Sequence, residues 1–100
     1  MQSITVSVKI RPSTKKEKKL MAIFYRNGVK IKTTHFGATG YSDFTIHKDE
    51  ARRQRYINRH RNKEDWNNPF TPGALSMWIL WNKPTLKGSI AAFKKRFHLR

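Results

Sequence analysis

Cysteine is absent from this chain of 100 residues, and acidic residues are scarce. The lack of cysteine excludes disulfides, cysteine-ligated zinc sites and thiol catalysis. Apolar runs such as Met77–Trp81 are far shorter than the roughly 18 residues that a membrane-spanning helix needs, so no membrane span is expected. The length predicts a single small domain, residues 1–100, with one modest hydrophobic core.

The charge balance is the most informative part of the composition. The chain has 22 Lys and Arg against 6 Asp and Glu, a formal net charge of +16 at pH 7. Small soluble domains usually carry a net charge of about 2–8 in magnitude. Five of the six acids lie between Asp43 and Asp65, so both ends of the chain are almost purely cationic. This excess predicts an anionic partner: nucleic acid, an acidic protein or an anionic membrane surface.

Apolar residues alternate with polar ones in the first third of the chain. Ile4 to Ile10 has the period of a half-buried strand, and residues 12–19 form a polar loop. Leu20–Arg26 and Val29–Phe36 are two further strands, joined by Asn27-Gly28, which favours a type I′ hairpin turn. Residues 1–36 are therefore predicted to form a three-stranded antiparallel β-meander.

The remainder, residues 46–97, is predicted to be helical. One helix is expected from Ile46 to Arg61, and a second, apolar all round and therefore buried, from Pro72 to about Asn82 after a Thr71 cap. A third follows a Thr85 cap, with a core stripe formed by Leu86, Ile90, Phe93 and Phe97. The predicted fold class is α+β, a three-stranded antiparallel β-meander followed by three short helices.

Basic residues are the candidate contacts with an anionic partner. Arg52, Arg55 and Arg59 share one side of the first predicted helix, and guanidinium groups match the geometry of phosphate. The alternative is a solvated helix face without a partner. Arg53 falls on the apolar side and is expected to pair with Asp49 or Glu50. The other candidates are the lysine run and the basic end of the last helix: Lys15, Lys16, Lys18, Lys19, Lys94, Lys95 and Arg96.

No set of residues predicts catalysis. The four histidines lack zinc-ligand spacing, and the few acids do not form the converging carboxylates of a two-metal nuclease. No metal, cofactor or small-molecule substrate is therefore expected. His60 is interpreted as a hydrogen-bonded core residue.

Gly37 and Gly40 favour a plain turn over an anion-binding nest. Trp66, Trp78 and Trp81 are expected to be core residues or anchors of a protein interface, and the sequence leaves this choice open.

Several segments together resemble a family of small basic proteins of large nucleocytoplasmic DNA viruses, of the chlorella-virus and mimivirus types. The resemblance covers roughly residues 35–97. It is carried by these segments: 35–38, 40–49, 55–57, 59–60, Trp66, 78–84, 89–90 and 95–97. The resemblance implies a virus and a eukaryotic host, and it implies no catalytic residues.

Two hypotheses follow for such a setting. The first is a structural virion protein, a minor capsid or assembly component that docks on other viral proteins through its basic surfaces and its Trp-rich helix. The alternative is a DNA-binding protein that neutralises or packages the viral genome. Both locate the protein in the virion, and during assembly in the infected cell. Open arginines on one positive surface favour the second, and exposed tryptophans with dispersed charge favour the first.

Overall fold

An antiparallel sheet forms the first third of the described chain. The computed structural model describes residues 5–100, and strands β1 (Val6–Pro12), β2 (Lys18–Arg26) and β3 (Val29–Ala38) pair in the order β1-β2-β3. The predicted meander is confirmed, although Ile4 lies outside the described residues. Residues 18 and 19 were predicted to lie in a loop. They belong instead to β2, whose first residue, Lys18, pairs with Ala38 of β3.

The turn between β2 and β3 has the predicted geometry. Asn27 and Gly28 both have positive φ, 49° and 83°, as a type I′ turn requires. The Asn27 side chain also accepts a hydrogen bond from the backbone N–H of Thr5 at 2.9 Å, and so ties the turn to the chain that precedes β1.

One face of the sheet carries the core. Val8, Ala22, Phe24 and Phe36 are buried on this face, where they pack with apolar residues of the helical part. At the hairpin end Val29 and Ile31 remain 66% and 48% exposed. Some apolar residues of β3 therefore lie outside the core.

The first predicted helix is two helices. The structure has α1 (Phe44–His47) and α2 (Glu50–His60), separated by Lys48 in the left-handed conformation with φ 55°. Each helix has its own aspartate cap: Asp43 accepts from the N–H of Thr45, and Asp49 from those of Ala51 and Arg52. The prediction of one helix over residues 46–61 is wrong because two caps in close succession restart the backbone.

The third helix carries the apolar segment. α3 (Pro72–Leu75) begins at its predicted Thr71 cap and continues directly into a π-helical turn, Ser76–Leu80. The residues Ala74, Leu75, Met77, Ile79 and Leu80 are buried, as expected for a helix that is apolar all round.

The last helix, α4 (Leu86–Arg96), begins at the predicted Thr85 cap, which accepts from the N–H of Gly88. Its buried residues are Ser89 and Phe93, while Leu86 is exposed, so the predicted core stripe is wrong at its first position. Ser89 tolerates burial because its hydroxyl accepts a hydrogen bond from the Lys83 N–H at 3.0 Å.

After α4 the chain returns to the sheet. The N–H of Arg100 donates to the Val6 carbonyl at 2.9 Å, and the N–H of Val8 donates to the Arg100 carbonyl at 2.8 Å. These bonds satisfy part of the outer edge of β1. Within residues 5–100, none of the helices is long and apolar enough to cross a membrane.

Gly37 connects the sheet to the π-helical turn and provides a test of this packing. It has φ 78°, and an added Cβ would lie 2.7 Å from Leu80 Cδ1. Gly40 has a similar φ of 85° but open space around it. We expect Gly37→Ala to lower the free energy of unfolding by about 2–4 kcal/mol, from backbone strain and overpacking together. Gly40→Ala should cost only about 1–2 kcal/mol, from strain alone.

Urea denaturation of the two variants measures this difference. Equal losses of stability would contradict the close packing of Gly37 against Leu80.

Candidate anion-binding cleft

A cleft of about 520 Å³ lies where the sheet, α2 and α3 meet. We call it the basic cleft. Its walls come from the start of β2, the end of β3, the loop before α1, one side of α2, and α3 with its π-helical turn. Its lining residues that carry charge or an aromatic ring are Lys18, Lys19, Tyr41, Asp43, Arg52, Tyr56, Arg59, His60, Glu64 and Trp81.

The sequence-predicted basic residues are divided by the fold. Lys18, Lys19, Arg52 and Arg59 line the basic cleft, whereas Arg55 is exposed elsewhere on α2. Lys15 and Lys16 are exposed in the turn between β1 and β2. Lys94, Lys95 and Arg96 lie in the last turn of α4, where Lys95 and Arg96 border a separate depression with Lys83. The structure therefore brings together only four of the ten predicted basic residues.

Stacked rings attach α2 to the rest of the molecule. The Tyr56 ring lies parallel to the Trp81 indole, with centroids 4.3 Å apart and 5° between the planes. His60 stacks on Tyr56, also at 4.3 Å. No residue of α2 is fully buried, and this stack attaches the helix to Trp81, which packs against the core. His60 is thus half-buried at the cleft wall, and the prediction of a core histidine is wrong.

Arg53 adds a polar link between the same elements. Its Nε donates to the Trp81 carbonyl at 2.8 Å, and its Nη1 lies 3.1 Å from Oε1 of Glu50, one of the two predicted partners. Hydrogen bonding from Gln54, with a contribution from Arg53, lowers the pKa of Glu50. The pairing with Glu50 confirms the sequence prediction and removes Arg53 from the set of available cations.

The two carboxylates of the basic cleft are already engaged. Asp43 is buried, with its Oδ2 2.7 Å from Lys19 Nζ and its Oδ1 capping α1. Glu64 lies 3.8 Å from Nδ1 of His60. Arg52 and Arg59 have no acidic partner within 4.0 Å among residues 5–100. With four cations and two acids in its lining, the cleft keeps a net formal charge of +2 when His60 is neutral.

Two of the tryptophans form a separate cluster. Trp78 donates through Nε1 to the Trp66 carbonyl at 2.8 Å, and the Arg96 guanidinium lies 3.7 Å from the centre of the Trp78 ring. All three tryptophans are half-buried, and each makes contacts within the chain. The tryptophan rings therefore pack against other parts of the chain. The Arg96 guanidinium is already engaged in a cation–π contact with Trp78.

No local pattern in the chain predicts that several of the lining residues meet. Tyr41 lies in the loop before α1, whereas Ser76 and Trp81 belong to the π-helical turn and its end, and only packing places these two segments around one cleft. Gly37 and Gly40 do not form a common nest, since Gly37 lies within β3 and Gly40 lies beyond its end. Within residues 5–100, no group of three or more His, Asp or Glu side chains is placed to hold a metal ion.

Comparison with known protein families shows the family of this chain. A family profile described as "Family of unknown function (DUF5754)" matches residues 8–60, just over half of the chain. The chain belongs to this family. No curated protein and no solved structure matches it.

The region matched to DUF5754 contains the sheet from Val8 onwards, the loop with Tyr41 and the whole of α2. It therefore includes the cationic wall of the basic cleft, and it ends before α3 and Trp81. Membership of the DUF5754 family brings no activity with it, so functional inference depends on the geometry of the site.

Tyr56 provides a test of the cleft wall. Burial is the main cause that raises the pKa of Tyr56 to about 12, and the negative charge of Glu64 acts in the same direction. The difference in tyrosinate absorbance between the parent protein and Tyr56→Phe, followed through an alkaline titration, should have its midpoint near 12. A midpoint near the ordinary value of 10.0 would contradict the buried position of the Tyr56 ring.

The same shift predicts a loss of stability at high pH. The unfolded chain releases the Tyr56 proton at a lower pH than the folded chain, so the free energy of unfolding falls as pH rises from about 10 towards 12. Tyr56→Phe should remove this contribution, which denaturation at several pH values can measure.

Proposed function

We propose that this protein is a non-enzymatic nucleic-acid-binding protein that contacts phosphates through the basic cleft and the exposed face of α2. The observation that carries the proposal is the convergence of Lys18, Arg52 and Arg59 on one cleft without acids to neutralise the two arginines. Arginine forks bind phosphate oxygens in a bidentate manner, and the released counterions drive such binding.

The geometry favours this role over docking through tryptophan anchors. Arg52, Arg55 and Arg59 are all exposed, as the nucleic-acid hypothesis requires, although Arg55 lies outside the cleft and the basic residues as a whole lie on several surfaces. Trp78 is covered by Arg96 and Trp81 by Tyr56, so neither ring is presented as an open anchor. In the viral setting that the sequence resemblance implies, the ligand would be the viral genome, and the virion would contain the protein.

Charge removal in the basic cleft tests the proposal. Arg52→Gln with Arg59→Gln removes two positive charges from the cleft, and Lys30→Gln with Lys32→Gln removes two from the exposed hairpin end as a matched control. Each lost phosphate contact should reduce the slope of log K against log salt by about 0.9 for duplex DNA. We expect the cleft pair to reduce the slope by about 2 and the control pair to change it little.

Fluorescence anisotropy with a labelled DNA over a range of salt concentrations provides the measurement. Equal effects of the two pairs would mean that net charge alone drives binding, and would contradict a site at the basic cleft.

A second candidate function is the structural virion protein, which one observation favours. Val29, Lys30, Ile31 and Lys32 are all exposed, so the hairpin end offers apolar side chains and positive charge close to each other. The partner that fits is an acidic capsid or assembly protein, because complementary charge steers such encounters. Repulsion between like charges opposes self-association of this strongly cationic chain.

Fractionation of purified virions distinguishes the two roles. If the chain neutralises the genome, quantitative mass spectrometry should find it with the DNA-rich core, and salt or nuclease should release it. Enrichment with empty shells that survives nuclease treatment would contradict the genome-binding role and support docking on capsid protein.

A further inference from the structure

The volume of the basic cleft restricts the kind of nucleic acid that can enter it. Its volume of about 520 Å³ lies within the roughly 300–1,000 Å³ typical of small-ligand pockets. In a duplex the base faces are stacked inside the helix, so a pocket can reach only the backbone and the groove edges. A cleft of this size has room for a small ligand such as one unpaired nucleotide.

One aromatic ring at the cleft is free to stack. Tyr41 lines the cleft and is 74% exposed. The Tyr56 and His60 rings, by contrast, stack on each other, and Tyr56 also covers Trp81. Single-strand-binding proteins combine cationic grooves with exposed aromatic rings on which bases stack, whatever the base.

The cations that line the cleft together with Tyr41 are suited to binding phosphate. Lys18, Arg52 and Arg59 come from β2 and α2, so their backbones are held by regular structure. Lys19 is committed to Asp43 at 2.7 Å, and Glu64 faces His60 instead of closing an ion pair with either arginine. Three cations in the lining remain for the phosphates of a bound strand.

We propose that the basic cleft is a site for a single unpaired nucleotide of a strand, with the phosphates on either side of it bound by Lys18, Arg52 and Arg59 and its base stacked on Tyr41. The protein then binds single strands in preference to duplexes. This inference rests on the proposed function at the same cleft and names its ligand more narrowly.

Anisotropy measurements with a labelled single strand of about 12 nucleotides, within the size range of known single-strand sites, and with the matching duplex test the inference. We expect the single strand to bind about 5- to 150-fold more tightly at equal salt, since one base–aromatic stack is worth about 1–3 kcal/mol. Tyr41→Ala should lose about the same factor for the single strand and little for the duplex. Tyr41→Phe keeps the ring and should bind like the parent protein.

Competition with mononucleotides identifies the ligand of the cleft itself. Deoxyadenosine monophosphate should displace the labelled single strand at concentrations where inorganic phosphate does not, because phosphate lacks the base that stacks on Tyr41. Equal competition by the two would overturn the role of Tyr41.

The failures of the two proposals are distinguishable. Equal affinity for single strand and duplex, with Tyr41→Ala unchanged, would overturn the single-nucleotide site and leave nucleic-acid binding in place. Absence of binding to either nucleic acid at low salt would overturn both. Since Tyr41 is so exposed, Tyr41→Ala is expected to fold, and circular dichroism checks this directly.

Discussion

The contact between Trp81 and α2 is the constraint on which the candidate site depends. α2 has no fully buried residue and therefore cannot be held by core packing of its own. It is attached through the Tyr56 ring, parallel to the indole at 4.3 Å, and through Arg53, which donates to the Trp81 carbonyl at 2.8 Å. Trp81 thus fixes the position of α2, which carries the arginines, and forms part of one wall of the basic cleft.

The position of Trp81 depends in turn on the π-helical turn. The N–H of Trp81 is shared between the carbonyls of Ser76 and Met77, each at 3.2 Å. Wider helical turns of this kind add a residue within a helix and change the direction of the side chains that follow. Here Ile79 and Leu80 are buried in the core while Trp81 faces α2. A single element therefore serves both the core and the site.

The concentration of positive charge in the cleft lowers the stability of the fold. Like charges on neighbouring elements repel, and the chain as a whole has a net charge of +16. The buried pair of Lys19 and Asp43 joins the end of the sheet to the cap of α1, so one of the cleft cations stabilises the scaffold. The arginines are left without such partners, which is consistent with a surface that is completed by an anionic ligand.

Much of the fold could be predicted from local patterns. The Asn27-Gly28 turn and the Thr71 and Thr85 caps act over a few residues, and each is present as predicted. The break at Lys48 was missed although Asp43 and Asp49 are both cap residues, because the apolar periodicity continued across it. Leu86 was misplaced because the buried side of α4 is decided by contact with the core, which periodicity alone does not locate.

The sequence by itself determined the strongly cationic character, the lack of thiol chemistry, the meander and the starts of the last two helices, because composition and short-range geometry control these properties. Only the tertiary structure decided which cations meet. Lys18, Lys19, Arg52 and Arg59 line one cleft together with Tyr41, while Lys94, Lys95 and Arg96 lie in the last turn of α4. That grouping depends on how helices pack on the sheet, and contacts between distant segments leave no local pattern in the chain.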